Sequence, residues 1–388
     1  MDLAIKKAKD VGIACVSAKG SNHYGIAGWY SMRAMRQGLI GISSTNTSPI
    51  MFPTRAAKPA LGTNPIAIGA EGTGGDSYLL DMATTTVAIG KVEIAKRKGD
   101  PVPETWGVAK GGKVSTNAEE IITGGGLLPV GGGELSGGYK GYGLGSVVEI
   151  FCGILSGSHW GPNVRKWMAA TTEADLGQVF LAIDPEAFAP GFRDRLQQLI
   201  NTLRELPHDE LAQKYKIKNV TVIKEGISCT NTSPIMYPTR AAKPALGTNP
   251  IAIGANAAGG DSYLLDMATT TVAIGKVEIA KRKGQEVPNT WGVAKGGVMS
   301  HKPDEILSGG GLLPLGGSEI CGGYKGYGLG SVVEIFCGIL GGAHWGPNIR
   351  KWMSAEVDAD LGQCFIAIDP EAFAPGFGGR LQEFMNTR

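Results

Sequence analysis

The chain predicts an α/β protein whose main block occurs twice. Residues 41–203 and 226–388 are one sequence repeated at a constant offset, so that 41 becomes 226, with no insertion or deletion and about four positions in five identical. GISSTNTSPIMFPTRAAKPALGTNPIAIGA at 41–70 returns as GISCTNTSPIMYPTRAAKPALGTNPIAIGA at 226–255, and LDMATTTVAIGKVEIAKRKG at 80–99 returns unchanged at 265–284. The second observation is the leading 40 residues, which alternate helical and strand patterns and have no similar partner ahead of the second block. The third is length: 388 residues allow two or three domains, each with its own core. The expected organisation is a first block at 1–204, a linker at 205–225 and a second block at 226–388.

Taken in order, residues 2–10 read as a helix and Gly12–Ala18 as a strand, then Ile26–Arg36 as a helix and Leu39–Thr45 as a strand. This α-β-α-β order predicts a layered sheet with parallel pairing. Thr47 to Pro65 is dense in Pro and Asn and reads as loop. Pro65–Gly69 and Ser77–Met82 read as short buried strands about a turn at Gly72–Asp76. Thr86–Lys98 has helical periodicity, with Val87, Ile89, Val92, Ile94 and Ala95 on one side and charges on the other. The glycine-rich centre at 124–155 begins as loop and ends as an apolar helix from about Gly145. Leu176–Ile183 reads as a strand, Asp184-Pro185 as a turn and Phe192–Leu203 as a closing helix. Within the linker a helix is expected at His208–Tyr215 and a strand at Asn219–Lys224, after which the order repeats from Gly226.

Charge and cysteine content narrow the function classes. Lys and Arg number 37 against 35 Asp and Glu, a net charge of +2, so no strongly charged partner such as nucleic acid is implied. The densest cationic stretch, Lys91–Gly99 and again Lys276–Gly284, is interleaved with apolar residues and reads as a solvated helix face. The six cysteines show no CxxC spacing, and Cys229, Cys321 and Cys364 stand opposite Ser44, Ser136 and Val179 in the other copy. They cannot form a symmetric disulfide framework, which suits a reducing, cytoplasmic compartment. The start lacks a secretory h-region, and no apolar run approaches membrane-spanning length. Asn46-Thr47-Ser48 and Asn231-Thr232-Ser233 match a glycosylation acceptor, which means little without a signal peptide.

Several sharp motifs are absent: GxGxxG after a strand, GxxxxGK[ST], HExxH, the GxSxG elbow and paired metal-ligand spacing. Among five histidines, His23 lies in a Ser-Asn-His-Tyr-Gly loop between a strand end and a helix start, where α/β proteins place ligands. A neutral imidazole there could exchange a proton with a substrate hydroxyl or carbonyl near pH 7; it could equally be a histidine satisfied in a turn. His159 and His344 read as turn residues at a helix end, and His208 and His301 as solvent-exposed. Asp81 and Asp266 are lone carboxylates at the end of an apolar strand, able either to hold a histidine or hydroxyl or to cap a helix starting near Thr85. Lys140 and Lys325 sit in Gly-Gly-Tyr-Lys-Gly-Tyr-Gly, the one cation of a glycine loop heading a helix, which is good anion-binding chemistry. Asn64-Pro65 and Asn249-Pro250 are turn-formers, each after a threonine that could serve as a ligand hydroxyl.

Taken together, KGSNHYGIAGWYSMRAM, TNTSP, PTRAAKPALGTNPIAIGA, LDMATT, WGV, GGYKGYGLGSVVEIFCGIL, GPNIRKW and AIDPEAFAPGF resemble the type-2 malate/L-lactate dehydrogenases. The motifs stand in family order and cover nearly everything except 205–225. The resemblance implies a non-Rossmann mixed-sheet α/β fold and NAD or NADP as cofactor, with hydride transfer on a small 2-hydroxy or 2-keto acid such as malate or oxaloacetate. It also implies sites shared between two subunits, here either an intrachain pseudo-dimer or a homo-oligomer. On this resemblance His23 is the catalytic acid/base. Thr47, Asp81, Met82, Ala83, Gly131, Gly132 and Lys140 fall at cofactor positions, and Thr232, Asp266, Met267, Ala268, Gly316, Gly317 and Lys325 at theirs in the second copy. No metal is implied. Family members carry a further N-terminal segment with a Ser-His-Gly motif, and the second copy lacks SNHYG. The chain therefore holds at most one catalytic histidine and two cofactor half-sites, and the alternative reading is a dinucleotide-binding relative without turnover.

Overall fold

The computed structural model describes residues 1–166, 173–206, 227–351 and 360–387. The helix and strand expected at 208–215 and 219–224, and His208 itself, lie outside these residues.

The first copy runs α1 (Asp2–Val11), β1 (Ile13–Ser21), α2 (Ala27–Met35), β2 (Ile40–Thr45), β3 (Ile66–Glu71), β4 (Ser77–Met82) and α3 (Ile89–Lys98). A small lobe of β5 (Gly107–Val108), α4 (Ala118–Ile122) and β6 (Gly126–Leu127) follows, then α5 (Gly138–Val148), β7 (Leu176–Ile183) and α6 (Phe192–Arg204). The second copy gives β8 (Ile227–Thr230), β9 (Ile251–Asn256), β10 (Ser262–Met267) and α7 (Ile274–Arg282). Its small lobe is β11 (Gly292–Val293), β12 (Met299–Ser300), α8 (Pro303–Leu307) and β13 (Gly311–Leu312), before α9 (Gly323–Val333), β14 (Gln363–Phe365) and α10 (Phe377–Asn386).

The strand order is β1-β7-β2-β3-β4 in the first copy and β10-β9-β8-β14 in the second. Every named strand pair is antiparallel, which corrects the expectation of parallel pairing. The alternating α-β-α-β order is real, and β1 and β2 do run the same way. β7 is inserted between them and pairs antiparallel with both, bringing Ile183 opposite Ile13 and Ile40. A strand arriving from 130 residues downstream leaves no local signal for this insertion. Among the described residues parallel neighbours occur only as isolated bridges such as Met51 with Leu127.

Most element ends differ from expectation by a few residues, as with β1, which runs on to Ser21, and two helix starts differ by three or more. The central helix begins at Gly138, not Gly145, and continues past Val148 as a π-helical stretch over Glu149–Ile154. Glycines lower helix propensity, but here packing overrides it. A Cβ on Gly141 would lie 2.1 Å from the Val130 carbonyl oxygen, and one on Gly143 2.5 Å from Leu265 Cδ1 of the second copy. The helix needs a bare backbone to approach both. Helix α3 starts at Ile89, three residues after Thr86, with no side-chain cap.

One apolar core spans both copies, joining Ile68, Leu80, Val147 and Leu181 to Ile253, Leu265, Val332 and Leu340. Contacts across it are reciprocal. The Tyr78 hydroxyl donates to the Gly328 carbonyl at 3.2 Å, and the Tyr263 hydroxyl to that of Gly143 at 2.9 Å. Trp106 Nε1 donates to Ile320 O and Trp291 Nε1 to Leu135 O; Arg195 Nε donates to Ile339 O and Arg380 Nε to Ile154 O. Each pair exchanges equivalent residues, as across a two-fold axis. In the first copy α2 packs over the sheet at β2, β3 and β4. The second copy has no such cover among the described residues, and there Ala252, Gly254, Leu264, Phe365 and Ala367 line a shallow hollow.

Candidate active site

His23 lies on the turn between β1 and α2, and the surrounding hydrogen bonds follow from that placement. The loop is anchored at one side by Gln178 Nε2, which donates to Ser21 Oγ at 2.6 Å and to the Asn22 carbonyl at 3.2 Å. On the other side Tyr24 stacks on Tyr30, with ring centroids 4.9 Å apart and an interplanar angle of 14°, and Tyr30 rests against Phe180. Burial pushes the Tyr24 phenol well above its usual range, with Cys152 and Asp81 adding to the shift. The imidazole itself is exposed, and its Nδ1 accepts the Gly25 N–H at 3.0 Å. In the neutral ring the proton therefore sits on Nε2, where it can hydrogen-bond to a carbonyl oxygen.

Asp81, at the end of β4, accepts the Gly28 N–H at 2.8 Å in the first turn of α2. Of the alternatives open in the sequence, the carboxylate thus caps a helix, but α2 and not one starting near Thr85. Desolvation pushes its pKa upward, opposed by the Gly28 bond. His23 and Asp81 are in this way tied to the same six-residue stretch. Asp266, which like Asp81 is exposed, accepts no such helix N–H among the described residues.

The other cofactor candidates of the first copy gather around Thr84. Thr47 Oγ1 lies 3.3 Å from Thr63 Oγ1, the Thr63 carbonyl accepts the Thr84 N–H at 2.8 Å, and the Thr84 carbonyl accepts the Val130 N–H at 2.8 Å. This brings Thr47, Asp81-Met82-Ala83 and Gly131-Gly132 to one place. Gly131 and Gly132 take φ of 97° and 67°, the left-handed region that favours glycine.

Lys140 does not join them. Its Nζ crosses to the second copy and donates to the Ala268 and Thr270 carbonyls at 3.1 and 2.6 Å. Reciprocally, Lys325 of the second copy donates to Ala83 and Thr85 at 3.1 and 2.5 Å. The lysines therefore change places relative to the sequence grouping. Thr47, Asp81, Met82, Ala83, Gly131 and Gly132 go with Lys325, while Thr232, Asp266, Met267, Ala268, Gly316 and Gly317 go with Lys140. Spacing within one copy contains no record of which copy a lysine faces. Both side chains are buried. Burial, with Lys276 nearby, lowers Lys140 to about 8; burial, with Lys91 nearby, lowers Lys325 to about 7. Among the described residues no carboxylate pairs with either ammonium. A buried cation with only carbonyl acceptors is suited to an added anion.

A second pair of residues escaped sequence reasoning. Glu149 on the π-helical stretch is fully buried and accepts from Asn46 Nδ2 at 3.0 Å, Asn64 Nδ2 at 2.8 Å and Gly161 N–H at 3.0 Å. Burial raises its pKa, opposed by these donors. Asn64 in turn accepts the Thr47 N–H, so Glu149 positions the Thr47 loop from beneath. Glu334, Asn231, Asn249 and Gly346 repeat the arrangement. The available signal was an acid inside the apolar run SVVEIFCGIL, where charge is rarely left without several donors.

His159 behaves as the expected turn residue: its N–H meets Asp175 and its carbonyl accepts from Asn46, and His344 repeats the Asp contact with Asp360. His301 is exposed, 3.3 Å from Glu286. Among the described residues no cluster of His, Cys, Asp or Glu is placed to hold a metal, and no helix is long and apolar enough to cross a membrane.

Comparison with known proteins places these observations. The family model for malate/L-lactate dehydrogenase matches residues 1–217 and 225–387. The malate dehydrogenase of Pyrococcus horikoshii is 48% identical over 209 residues, which is 53% of this chain and 57% of that protein. The L-sulfolactate dehydrogenase of Methanocaldococcus jannaschii is 40% identical over 217 residues, 56% of this chain and 60% of the relative. The crystal structure of malate dehydrogenase from Entamoeba histolytica aligns with a TM-score of 0.51 at 34% identity, covering 54% of this chain and 60% of that one. The chain spans less than two thirds of the length of each of these relatives.

Proposed function

The chain belongs to the malate/L-lactate dehydrogenase family, and from that premise we propose that it transfers hydride between NAD or NADP and a small 2-hydroxy or 2-keto acid of the malate/oxaloacetate kind. The proposed active centre lies in the first copy, with the second copy serving as its partner within the same chain. The observation that carries this reading is Lys325, which reaches from the second copy to the Ala83 and Thr85 carbonyls, next along the chain from the Asp81 that holds Gly28.

An anionic dinucleotide suits these residues. Lys325 carries a buried amine group with carbonyl acceptors alone, and the Gly131-Gly132 turn lies beside Thr84. Thr47, Asp81, Met82, Ala83, Gly131, Gly132 and Lys325 would hold it. When bound, it supplies the nicotinamide carbon that gives or takes hydride. The protein's own part is proton transfer and positioning. As the acid, His23 carries protons on both nitrogens, which releases the Gly25 bond. The imidazolium gives its Nε2 proton to the keto oxygen in reduction and is left neutral; in the reverse direction the neutral ring, its proton on Nδ1, takes the hydroxyl proton at Nε2. Asp81 holds the first turn of α2 and so the far side of the His23 loop. Thr232, Asp266, Met267, Ala268, Gly316, Gly317 and Lys140 form the corresponding second site, which has no SNHYG loop. His208 falls in register with His23, but within Leu-Pro-His-Asp-Glu.

The test is steady-state turnover of oxaloacetate and pyruvate with NADH and NADPH, beside cofactor titration by fluorescence. His23→Ala is expected to lower kcat by about 10²–10⁴-fold, with cofactor affinity within about twofold of the parent; His208→Ala should leave both unchanged. Full activity in His23→Ala would refute the assignment. Cofactor binding with no turnover by the parent chain would establish the alternative, a dinucleotide-binding relative.

A further inference from the structure

The second copy departs from the first at two facing strand positions of its sheet. In the first copy Ser44 Oγ lies 3.2 Å from Cys152 Sγ; in the second, Cys229 Sγ lies 3.4 Å from Cys337 Sγ. Cys229 and Cys337 are both buried. Across the ladder the first copy sets Val179 of β7 against Ser44, whereas the second sets Cys364 of β14 against Cys229. β14 is the outer strand of its sheet, and Cys364 is half-buried. Three thiols therefore meet where the first copy has one, and none of the six cysteines is in a disulfide. The three are not arranged as a metal-holding group.

We propose that Cys229 and Cys337 form a reversible dithiol–disulfide site, loaded through Cys364 by a low-molecular-weight disulfide, RSSR. The Cys364 thiolate attacks one sulfur of RSSR; a protein–SR bond forms, the RS–SR bond breaks, and RS⁻ leaves as RSH with the proton Cys364 gave up. Cys229, deprotonated, attacks Cys364 Sγ and expels the second RS⁻, which takes the Cys229 proton. Cross-strand Cα atoms lie about 4.5–5.5 Å apart, inside the disulfide range of roughly 4.4–6.8 Å. Cys337 then attacks Cys229 Sγ, and its proton returns to Cys364 as that bond breaks. The net change is two electrons and two protons passing from Cys229 and Cys337 to RSSR, giving two RSH. The new bond staples β8 to the π-helical stretch (Glu334–Ile339), whose Glu334 carboxylate holds Asn231 and Asn249. Only the second copy can be tightened in this way.

The test uses the full chain and no activity assay. Folded protein is incubated with oxidised glutathione, quenched by alkylation in denaturant, and read by intact mass and peptide mapping. The expected product has two fewer alkylated thiols, a mass about 2 Da below the fully reduced chain before labelling, and a Cys229–Cys337 cross-link that dithiothreitol removes. Six alkylated cysteines throughout the titration overturn the proposal, as does a Cys229–Cys364 link as the end product. Cys229→Ser reproduces the Ser44 arrangement that the fold already accommodates, and it should form no link; a persistent loss of two thiols there overturns the assignment. Cys364→Val reproduces Val179 and should slow the same link at least about tenfold. An unchanged rate removes Cys364 from the pathway.

Discussion

The two copies set identical or nearly identical strands in different surroundings. SYLLDM is β4 in one and β10 in the other, yet Leu79 is partly covered while Leu264 is 70% exposed. Phe180 on β7 is 7% exposed beneath the Tyr24 and Tyr30 rings, and its counterpart Phe365 on β14 is 73% exposed. The strands themselves respond. β7 is eight residues long and pairs with β1 on one side and β2 on the other, whereas β14 is three residues long and among the described strands pairs with β8 alone. The sequence of a strand is thus insufficient to set its length; the leading 40 residues decide it by covering one face and one edge. The helix-rich interface between the copies is almost the same from either side.

That difference has a direct thermodynamic test, and it gives the largest effect expected on stability. Phe180→Ala removes a buried ring packed against Tyr24 and Tyr30 and should cost about 3–5 kcal/mol. Phe365→Ala removes a ring already in water and should cost less than about 0.5 kcal/mol. Urea melts of the two variants check this. Equal losses would show that something covers Phe365 in solution.

How much was legible follows the same division. Strand β4 and the span of β7 were readable to the residue because each is an apolar run closed by a turn former, and α6 was readable apart from its last residue. The α-β-α-β order was also readable, but not the insertion of β7, since strand pairing over that separation is settled by packing and not by local pattern. Helix α5 was placed seven residues too late, because glycine was weighed by propensity while Gly141 and Gly143 are there to let Val130 and Leu265 approach. His23 was visible from its loop, although its Gly25 bond, which fixes the tautomer, was not. The exchange of Lys140 and Lys325 was invisible for a more basic reason. In a duplicated chain, equivalent lysines have equivalent neighbours in sequence, and only the fold decides which copy each one reaches.

Those lysines offer the next way to sharpen the comparison. Each ammonium is held in a site that favours the neutral amine, from about 7 for Lys325 and about 8 for Lys140 up to the usual 10.5. Over that window the unfolded chain binds more protons than the folded one, so stability rises with pH. Relative to Lys325→Met, the parent should therefore gain about 2 kcal/mol between pH 7 and pH 10, allowing for relaxation of a larger electrostatic limit near 4 kcal/mol. Relative to Lys140→Met it should gain less, with the midpoint about one pH unit higher. Anion affinity should move the other way, falling as pH rises and the ammonium is lost. Paired urea melts at the two pH values check the slope, and a slope of opposite sign would mean the lysines are stabilised as cations.

The smallest expected effect probes the part of the comparison where the copies agree. Tyr78 and Tyr263 each pass a hydroxyl across the shared core to a helix carbonyl, Gly328 and Gly143, and both are buried. Replacing either by Phe keeps the ring and deletes one buried hydrogen bond, a loss of about 1 kcal/mol. The two bonds lie in one interface, so if the copies unfold together Tyr78→Phe and Tyr263→Phe should shift a single transition by the same amount, within about 0.5 kcal/mol, and the double variant should show their sum. Were the first copy to outlast the second, melting would resolve into two steps. Either substitution would then lower the step at which the copies separate, while the later step, with no partner left to bond, would stay where it was. The urea transition of these two conservative variants thus reports whether the chain folds as one body or two.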